Sequence, residues 1–131
     1  MAQFMPKTSA WMAEEFPDEL GWHDPLNPIW AMRAMLLFDK WIWDRITAVN
    51  TCERMAKTMS AYNGGLRMLE RETQAAVGLH LDPERWWHHV RNVTGIRADW
   101  AWDENRTYVD RILLEIEDRY RDAGWGRGSC L

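Results

Sequence analysis

The segment that begins at Pro28 most constrains the fold of this chain of 131 residues. Between Pro28 and Val49 there is no further proline and no glycine, and the apolar residues cover more than one face of a helix. Proline suits the first turn of a helix, because the amide hydrogen that it lacks would be unpaired there. The pattern predicts a long helix over residues 28–49 that is central to the hydrophobic core. Charged side chains interrupt the apolar run, which excludes a membrane span; they are Arg33, Asp39, Lys40 and Asp44.

The other regular segments also have helical spacing, and no segment shows the alternation of a β-strand. A first helix is predicted from a cap at Thr8 or Ser9 to Phe16, and a proline-rich loop is predicted over residues 17–28. Glycines, prolines and side-chain caps bound the remaining predicted helices. These helices span residues 51–63, 66–77, 82–93 and 103–122.

The last of these helices is expected to be a single α-helix. Two pairs of opposite charges lie four residues apart in it and are expected to form ion pairs: Arg111–Glu115 and Glu117–Arg121. Gly124 is expected to end the helix. The sequence therefore predicts an all-α domain over residues 1–124 and a flexible tail over residues 125–131.

Charge and the N-terminal sequence narrow the possible partners and locations. The net charge of −4 and the pI near 5.5 argue against nucleic acid, because affinity for phosphate backbones comes mostly from Lys and Arg. No basic region precedes an apolar core at the N-terminus, so no signal peptide is predicted and the protein is expected to be made in the cytoplasm. To act outside the cytoplasm it would need release on lysis, delivery in a phage particle, or an exported segment since lost.

Two cysteines are too few for a disulfide scaffold, so Cys52 and Cys130 are interpreted as free thiols, with a bridge between them as the alternative. His88 and His89 lie near His80 and Asp82, but adjacent side chains on a helix point about 100° apart. A shared metal is therefore not expected, and the sequence suggests no cofactor.

Ten tryptophans can serve either the core or sugar-stacking surfaces. One ring of the pair Trp86–Trp87 is expected to point inward and the other to stay partly exposed. Trp100 and Trp102 are candidates for the entrance of a cleft, with core packing as the alternative.

Three short motifs occur in a particular order along the chain. They are Ala2-Gln3-Phe4-Met5-Pro6, then Ser60-Ala61-Tyr62-Asn63-Gly64-Gly65, then Glu104-Asn105-Arg106-Thr107-Tyr108-Val109. This order resembles the soluble, goose-lysozyme-like lytic transglycosylases, particularly their phage versions. The resemblance runs from Ala2 to about Tyr120. It implies a lysozyme-like helical fold, of which this chain is the larger C-terminal part.

The resemblance also implies a substrate and a set of contacts. The family cleaves the glycan strands of bacterial peptidoglycan and leaves 1,6-anhydromuramyl ends. Saccharide subsites would be lined by Gln3, Met5, Tyr62 and Asn63. Glu104 and Tyr108 would lie at the edge of the cleft or beside the catalytic acid. Each of three residues also has an ordinary alternative. Asn63 would mark a helix end, Glu104 would be an acid favoured near a helix N-terminus, and Tyr108 would pack in the core.

The catalytic acid of the family is a glutamate in an early Glu-Ser motif, ahead of a Gly-Leu-x-Gln segment. Met1 occupies the Leu position here, so no residue of this chain matches that acid, which is expected before Met1. The chain alone is therefore expected to be inactive. It is interpreted as a fragment or as the product of a misassigned start codon, and its uncovered apolar surface is expected to self-associate or bind a partner. The alternatives are a non-catalytic lysozyme-like protein that binds glycan or packs within a virion, a protein completed by a second polypeptide, and an unrelated helical interaction domain.

Overall fold

The computed structural model describes residues 5–130. Regular structure in these residues is entirely helical, which confirms the all-α prediction. The α-helices are α1 (Pro6–Glu15), α2 (Pro17–Leu20), α3 (Pro28–Trp43), α4 (Thr51–Gly64), α5 (Leu66–Gly78), α6 (Asp99–Asp110) and α7 (Glu117–Asp122). A 3₁₀ turn spans Val90–Asn92, and a π-helical segment, Arg111–Ile116, joins α6 to α7. No helix within residues 5–130 combines the length and the apolar content needed to cross a bilayer.

The chain divides into two compact units between Trp41 and Ile42. In the first unit, α1 begins at Pro6, so the predicted cap at Thr8 or Ser9 is wrong. Ser9 lies inside the helix, where its hydroxyl donates to the Pro6 carbonyl at 3.0 Å and lies 3.0 Å from His23 Nε2. A proline at the first position starts the helix without a side-chain cap.

The core of the first unit also explains why part of the predicted loop is helical. Leu20, at the end of α2, is only 8% exposed and packs with Met12, Trp30 and Ala34. Burying this leucine requires the chain after Phe16 to turn back, which one helical turn accomplishes. The turn ends at Gly21, whose φ of +64° is readily adopted only by glycine.

The helix α3 is shorter and less enclosed than predicted. It ends at Trp43 rather than Val49, where the Arg54 guanidinium donates to the Trp43 carbonyl from Nε at 3.0 Å and from Nη2 at 2.5 Å. This bond satisfies a carbonyl at the helix end, as a cap does. The prediction that α3 is central to the core is only partly correct, because Leu36 is 63% exposed. Two further apolar side chains on α3 are more than half exposed: Ile29 and Met32.

In the second unit, the predicted helix over residues 82–93 is wrong. Its backbone forms turns and the 3₁₀ turn, because the buried Glu53 carboxylate accepts from the amides of Trp86 and Trp87 at 2.5 and 3.0 Å. His88 also has a φ of +67°, which an α-helix does not allow. The prediction for the tryptophan pair is confirmed, since Trp86 is fully buried and Trp87 is half-buried.

The final helix differs from the prediction in its start and in its geometry. It begins at Asp99 rather than Asp103, and the π-helical segment interrupts it. The predicted ion pairs are wrong: within the described chain Arg121 pairs with Asp118 at 2.9 Å, and Arg111 has no acidic partner.

The interpretation of two free thiols is also wrong, because Cys52 and Cys130 form a disulfide across 78 residues of sequence. The bridge attaches the segment that follows α7 to the first turn of α4. Ser129 adds a second attachment, since its amide and its hydroxyl both donate to Glu117 Oε1, at 2.5 and 2.7 Å.

Candidate functional site

The end of α4 and one face of the α6–π segment form a groove of about 590 Å³. Its lining residues are Asn63, Asp103, Glu104, Thr107, Tyr108, Arg111, Ile112 and Ile116. Three of the residues that the resemblance marks thus share one groove, namely Asn63, Glu104 and Tyr108. The ring of Tyr62 stacks on that of Tyr108, with centroids 6.5 Å apart and planes 15° apart.

The other two marked residues are not part of this groove's described lining. Met5 belongs to the first unit, directly before α1, and is 75% exposed. Gln3 lies outside the described residues.

A hydrogen bond from Asn105 orients the side chain of Asn63. The Asn105 amide nitrogen donates to Asn63 Oδ1 at 3.0 Å and to the Ser60 carbonyl at 3.0 Å. The Ser60 hydroxyl in turn donates to Asn105 Oδ1 at 2.8 Å. No described bond uses the Asn63 side-chain NH₂ group, so this group can donate to a ligand in the groove.

A buried charge network holds Asn105. Glu72 is fully buried; its Oε1 accepts from Arg97 Nε at 3.0 Å and its Oε2 accepts from Arg106 Nη2 at 2.7 Å. Arg97 Nη2 also donates to Glu72 Oε1. Arg106 Nη1 then donates to Asn105 Oδ1 at 3.0 Å. The network thereby holds Asn105 in place, and one buried carboxylate is shared by two guanidinium groups.

Aromatic rings enclose the Arg106 guanidinium. Its central carbon lies 4.8 Å from the ring centroid of Trp86 and 5.0 Å from that of Trp102. Burial lowers the pKa of Arg106 below its ordinary value. The hydrogen bond that Arg106 donates to Glu72 and the negative charge of Glu72 act in the opposite direction. Trp102 is half-buried, and its indole N–H donates to the Val93 carbonyl at 2.8 Å.

The two positions after Asn63 require glycine for different structural reasons. A Cβ at Gly64 would lie 2.0 Å from Arg97 Nη1 and 2.9 Å from Asn105 Nδ2, so the network approaches the backbone too closely for any side chain. Gly65 has a φ of +94°, which the exit from α4 requires.

The structure can be compared with the ordinary alternatives for Asn63, Glu104 and Tyr108. Asn63 lies within α4 and does not adopt a left-handed turn. Tyr108 is half-exposed in the groove rather than enclosed in the core. Glu104 is exposed in the second turn of α6, beyond the first turn in which an acid interacts favourably with the helix dipole, so the helix-start alternative does not hold for it.

The sequence motifs did not mark Asp103, Thr107 and Arg111, which line the groove, or Asn105, which supports Asn63. Spacings of three and four residues from Glu104 through Thr107 and Tyr108 to Arg111 were the available signal, because such residues share a helix face. The role of Asn105 had no sequence signal, since it depends on partners more than forty positions away.

Within residues 5–130 no group of three or more metal-binding side chains lies together. The histidine cluster near Asp82 instead has a structural contact, because His89 Nδ1 accepts from the Asp82 amide at 2.9 Å.

No protein-family model, no curated protein and no solved structure matches this chain.

Proposed function

We propose that the groove binds the aminosugar strands of peptidoglycan, as the substrate-binding part of a lysozyme-like lytic transglycosylase. The observation that supports this most is the shared groove of Asn63, Glu104 and Tyr108, residues that two distant motifs supply. Its volume of about 590 Å³ lies in the range of small-ligand sites.

Each lining group suits a part of an aminosugar. The Asn63 NH₂ donates to the carbonyl oxygen of an N-acetyl group. The Tyr108 ring, supported by Tyr62, offers an apolar face to a pyranose ring. The carboxylates of Asp103 and Glu104 accept from sugar hydroxyls.

Cleavage needs a further group. In a lytic transglycosylase a carboxylic acid protonates the glycosidic oxygen; its carboxylate then takes the proton of the muramyl 6-hydroxyl, whose oxygen attacks the anomeric carbon and closes the anhydro ring. Such an acid needs an apolar enclosure that keeps it protonated. Asp103 and Glu104 are both exposed, so they fit substrate contacts better than this role. We propose that the acid lies in an upstream Glu-Ser segment, as the resemblance implies.

The binding test is a calorimetric titration of the chain with a chitohexaose probe. Saturable binding is expected, with a loss of at least about tenfold in affinity for Tyr108→Ala and Glu104→Ala, about 1.4 kcal/mol each. Tyr120→Ala and Glu115→Ala are matched controls, because both residues are exposed and neither lines the groove. Absence of saturable binding to both chitohexaose and isolated peptidoglycan strands would refute the proposal, and unchanged binding in the groove variants would refute this location.

The activity test separates the transglycosylase from a non-catalytic glycan-binding or virion protein. The exposure of Asp103 and Glu104 favours this second candidate for the chain alone. Extension with the upstream reading frame should release 1,6-anhydromuramyl products from peptidoglycan, detected by mass spectrometry. Reducing-end products would indicate hydrolysis instead, and no products would favour the non-catalytic protein.

Self-association is the remaining proposal about partners. Ile29, Met32 and Leu36 lie three and four residues apart on α3, and each is more than half exposed. Apolar patches of this kind promote association when they are large. Light scattering should therefore show species larger than a monomer, which Leu36→Glu reduces; a monomer at all concentrations would contradict this expectation.

A further inference from the structure

Among the described residues that line the groove, Arg111 is the one cation. It is exposed, and within the described chain it has neither an ion-pair nor a side-chain hydrogen-bond partner. A guanidinium has five donors in a fixed planar arrangement that matches a carboxylate. Its donors are therefore available to a ligand in the groove.

The π-helical segment places Arg111 at its first residue and Ile116 at its last, and both line the groove. Glu115 of the same segment is exposed and is not part of the groove's lining. No ion pair joins Arg111 to Glu115 within the described chain.

Charge is distributed unevenly along the groove. Asp103 and Glu104 lie on the first half of α6, and Arg111 follows seven and eight residues later, a distance of about 11 Å along a helix. A neutral chitin strand offers Arg111 no counter-charge, whereas a muramic acid strand carries carboxylates.

We infer that Arg111 binds a carboxylate carried by the glycan strand and thereby selects peptidoglycan over neutral aminosugar polymers. The inference depends on the proposed function. Two sources share this chemistry: the free lactyl carboxylate of muramic acid without its peptide, and a carboxylate of the stem peptide. Charge-assisted, bidentate contacts of this kind are both stronger and more specific than neutral hydrogen bonds.

The test compares three tetrasaccharides of equal length: chitotetraose, a peptide-free GlcNAc–MurNAc repeat, and the same repeat with stem peptides. The wild-type chain should bind at least one carboxylated strand about tenfold more tightly than chitotetraose, and the preference should weaken as salt is raised. Arg111→Gln should remove the preference, so that the variant binds the carboxylated strands no more tightly than it binds chitotetraose. Arg119→Gln is the control, because Arg119 is an exposed arginine of α7 outside the groove.

Each outcome has a distinct meaning. Tighter binding of the peptide-free strand assigns Arg111 to the lactyl carboxylate, and preference confined to the peptide-bearing strand assigns it to the stem. Equal binding of neutral and carboxylated strands by the wild type overturns the inference, as does a preference that survives in Arg111→Gln. A wild-type chain that binds none of the three strands overturns the proposed function itself.

Discussion

Asn105 Nδ2 donates to Asn63 Oδ1 across 3.0 Å, and this bond links the buried charge network to the surface of the groove. Asn105 is fully buried and uses both ends of its amide, with Ser60 and Arg106 as further partners. Asn63 is half-exposed and has this single described bond through its side chain. Replacement of the two asparagines should therefore lower the free energy of unfolding by different amounts.

Asn105→Ala should lower the free energy of unfolding by about 2–4 kcal/mol, because it leaves several buried donors and acceptors unpaired. Asn63→Ala should lower it by about 1 kcal/mol or less, since water can reach the groove side. Urea denaturation of both variants gives the comparison. Equal effects would show that the network does not depend on Asn105.

The buried Glu72 should be far more sensitive than a half-exposed carboxylate with one partner. Glu72→Gln leaves Arg97 and Arg106 without a counter-charge, and breaking such a buried network costs about 3–5 kcal/mol. The control is Asp110→Asn, whose pair with Arg91 at 2.5 Å is partly solvated and should contribute about 1 kcal/mol or less. Chemical denaturation that shows similar losses for both variants would contradict the network's importance.

Gly64→Ala should destabilise the protein by about 1–3 kcal/mol, because the new methyl group would overlap the Arg97 guanidinium. Gly78→Ala is the control: it lies at the end of α5 with no atom near a Cβ, and alanine there should be neutral or stabilise by up to about 1 kcal/mol. The effect of Gly64→Ala should shrink in an Arg97→Ala background, measured as a double-mutant cycle. Additive losses would show that Arg97 is not the cause.

Local sequence signals predicted the helices around the site and missed what depends on distant contacts. The glycines at 64, 65 and 78 define the ends of α4 and α5 to within one residue of prediction. The end of α3 and the turns after Asp82 were wrong, because Arg54 and Glu53 of α4 determine them through side chains that no local pattern reports.

The candidate site shows the same contrast between what the sequence marks and what it does not. Motif order alone marked Asn63, Glu104 and Tyr108, which the structure places in one groove. Arg111 was interpreted as half of an intrahelical pair, an interpretation that assumes four-residue spacing. The described chain has no such pair, and the π-helical segment has the apolar and charged pattern of an ordinary helix, so no local signal marks it.

Reduction of the disulfide should destabilise the second unit. The bridge closes a long loop, with 78 residues of separation, and a bridge of this kind contributes about 2–4 kcal/mol, chiefly by restricting the unfolded chain. The Cys52→Ser/Cys130→Ser variant should therefore show a lower midpoint in urea than the oxidised protein, and reducing agent should lower the midpoint of the wild type alone. A midpoint that reducing agent leaves unchanged would contradict this contribution.

Asp39 should make stability fall as the pH rises through the mildly acidic range. Burial raises the pKa of Asp39 from the usual 3.8 to about 6, and its Oδ1 has no hydrogen-bond partner among the described residues. Between these two values the folded chain holds a proton that the unfolded chain has lost, so the free energy of unfolding decreases with pH. Above pH 6 the loss of stability caused by the ionised Asp39 is constant. This loss is at most about 3 kcal/mol, and residual solvation of the carboxylate makes it smaller. Asp39→Asn should raise the free energy of unfolding at pH 7.5 and flatten its pH dependence between pH 4 and about pH 6. The control is Asp24→Asn, a change at an exposed residue that should leave this pH dependence as it is in the wild type. An Asp39→Asn variant whose stability changes as steeply with pH as that of the wild type would assign the pH dependence to other groups.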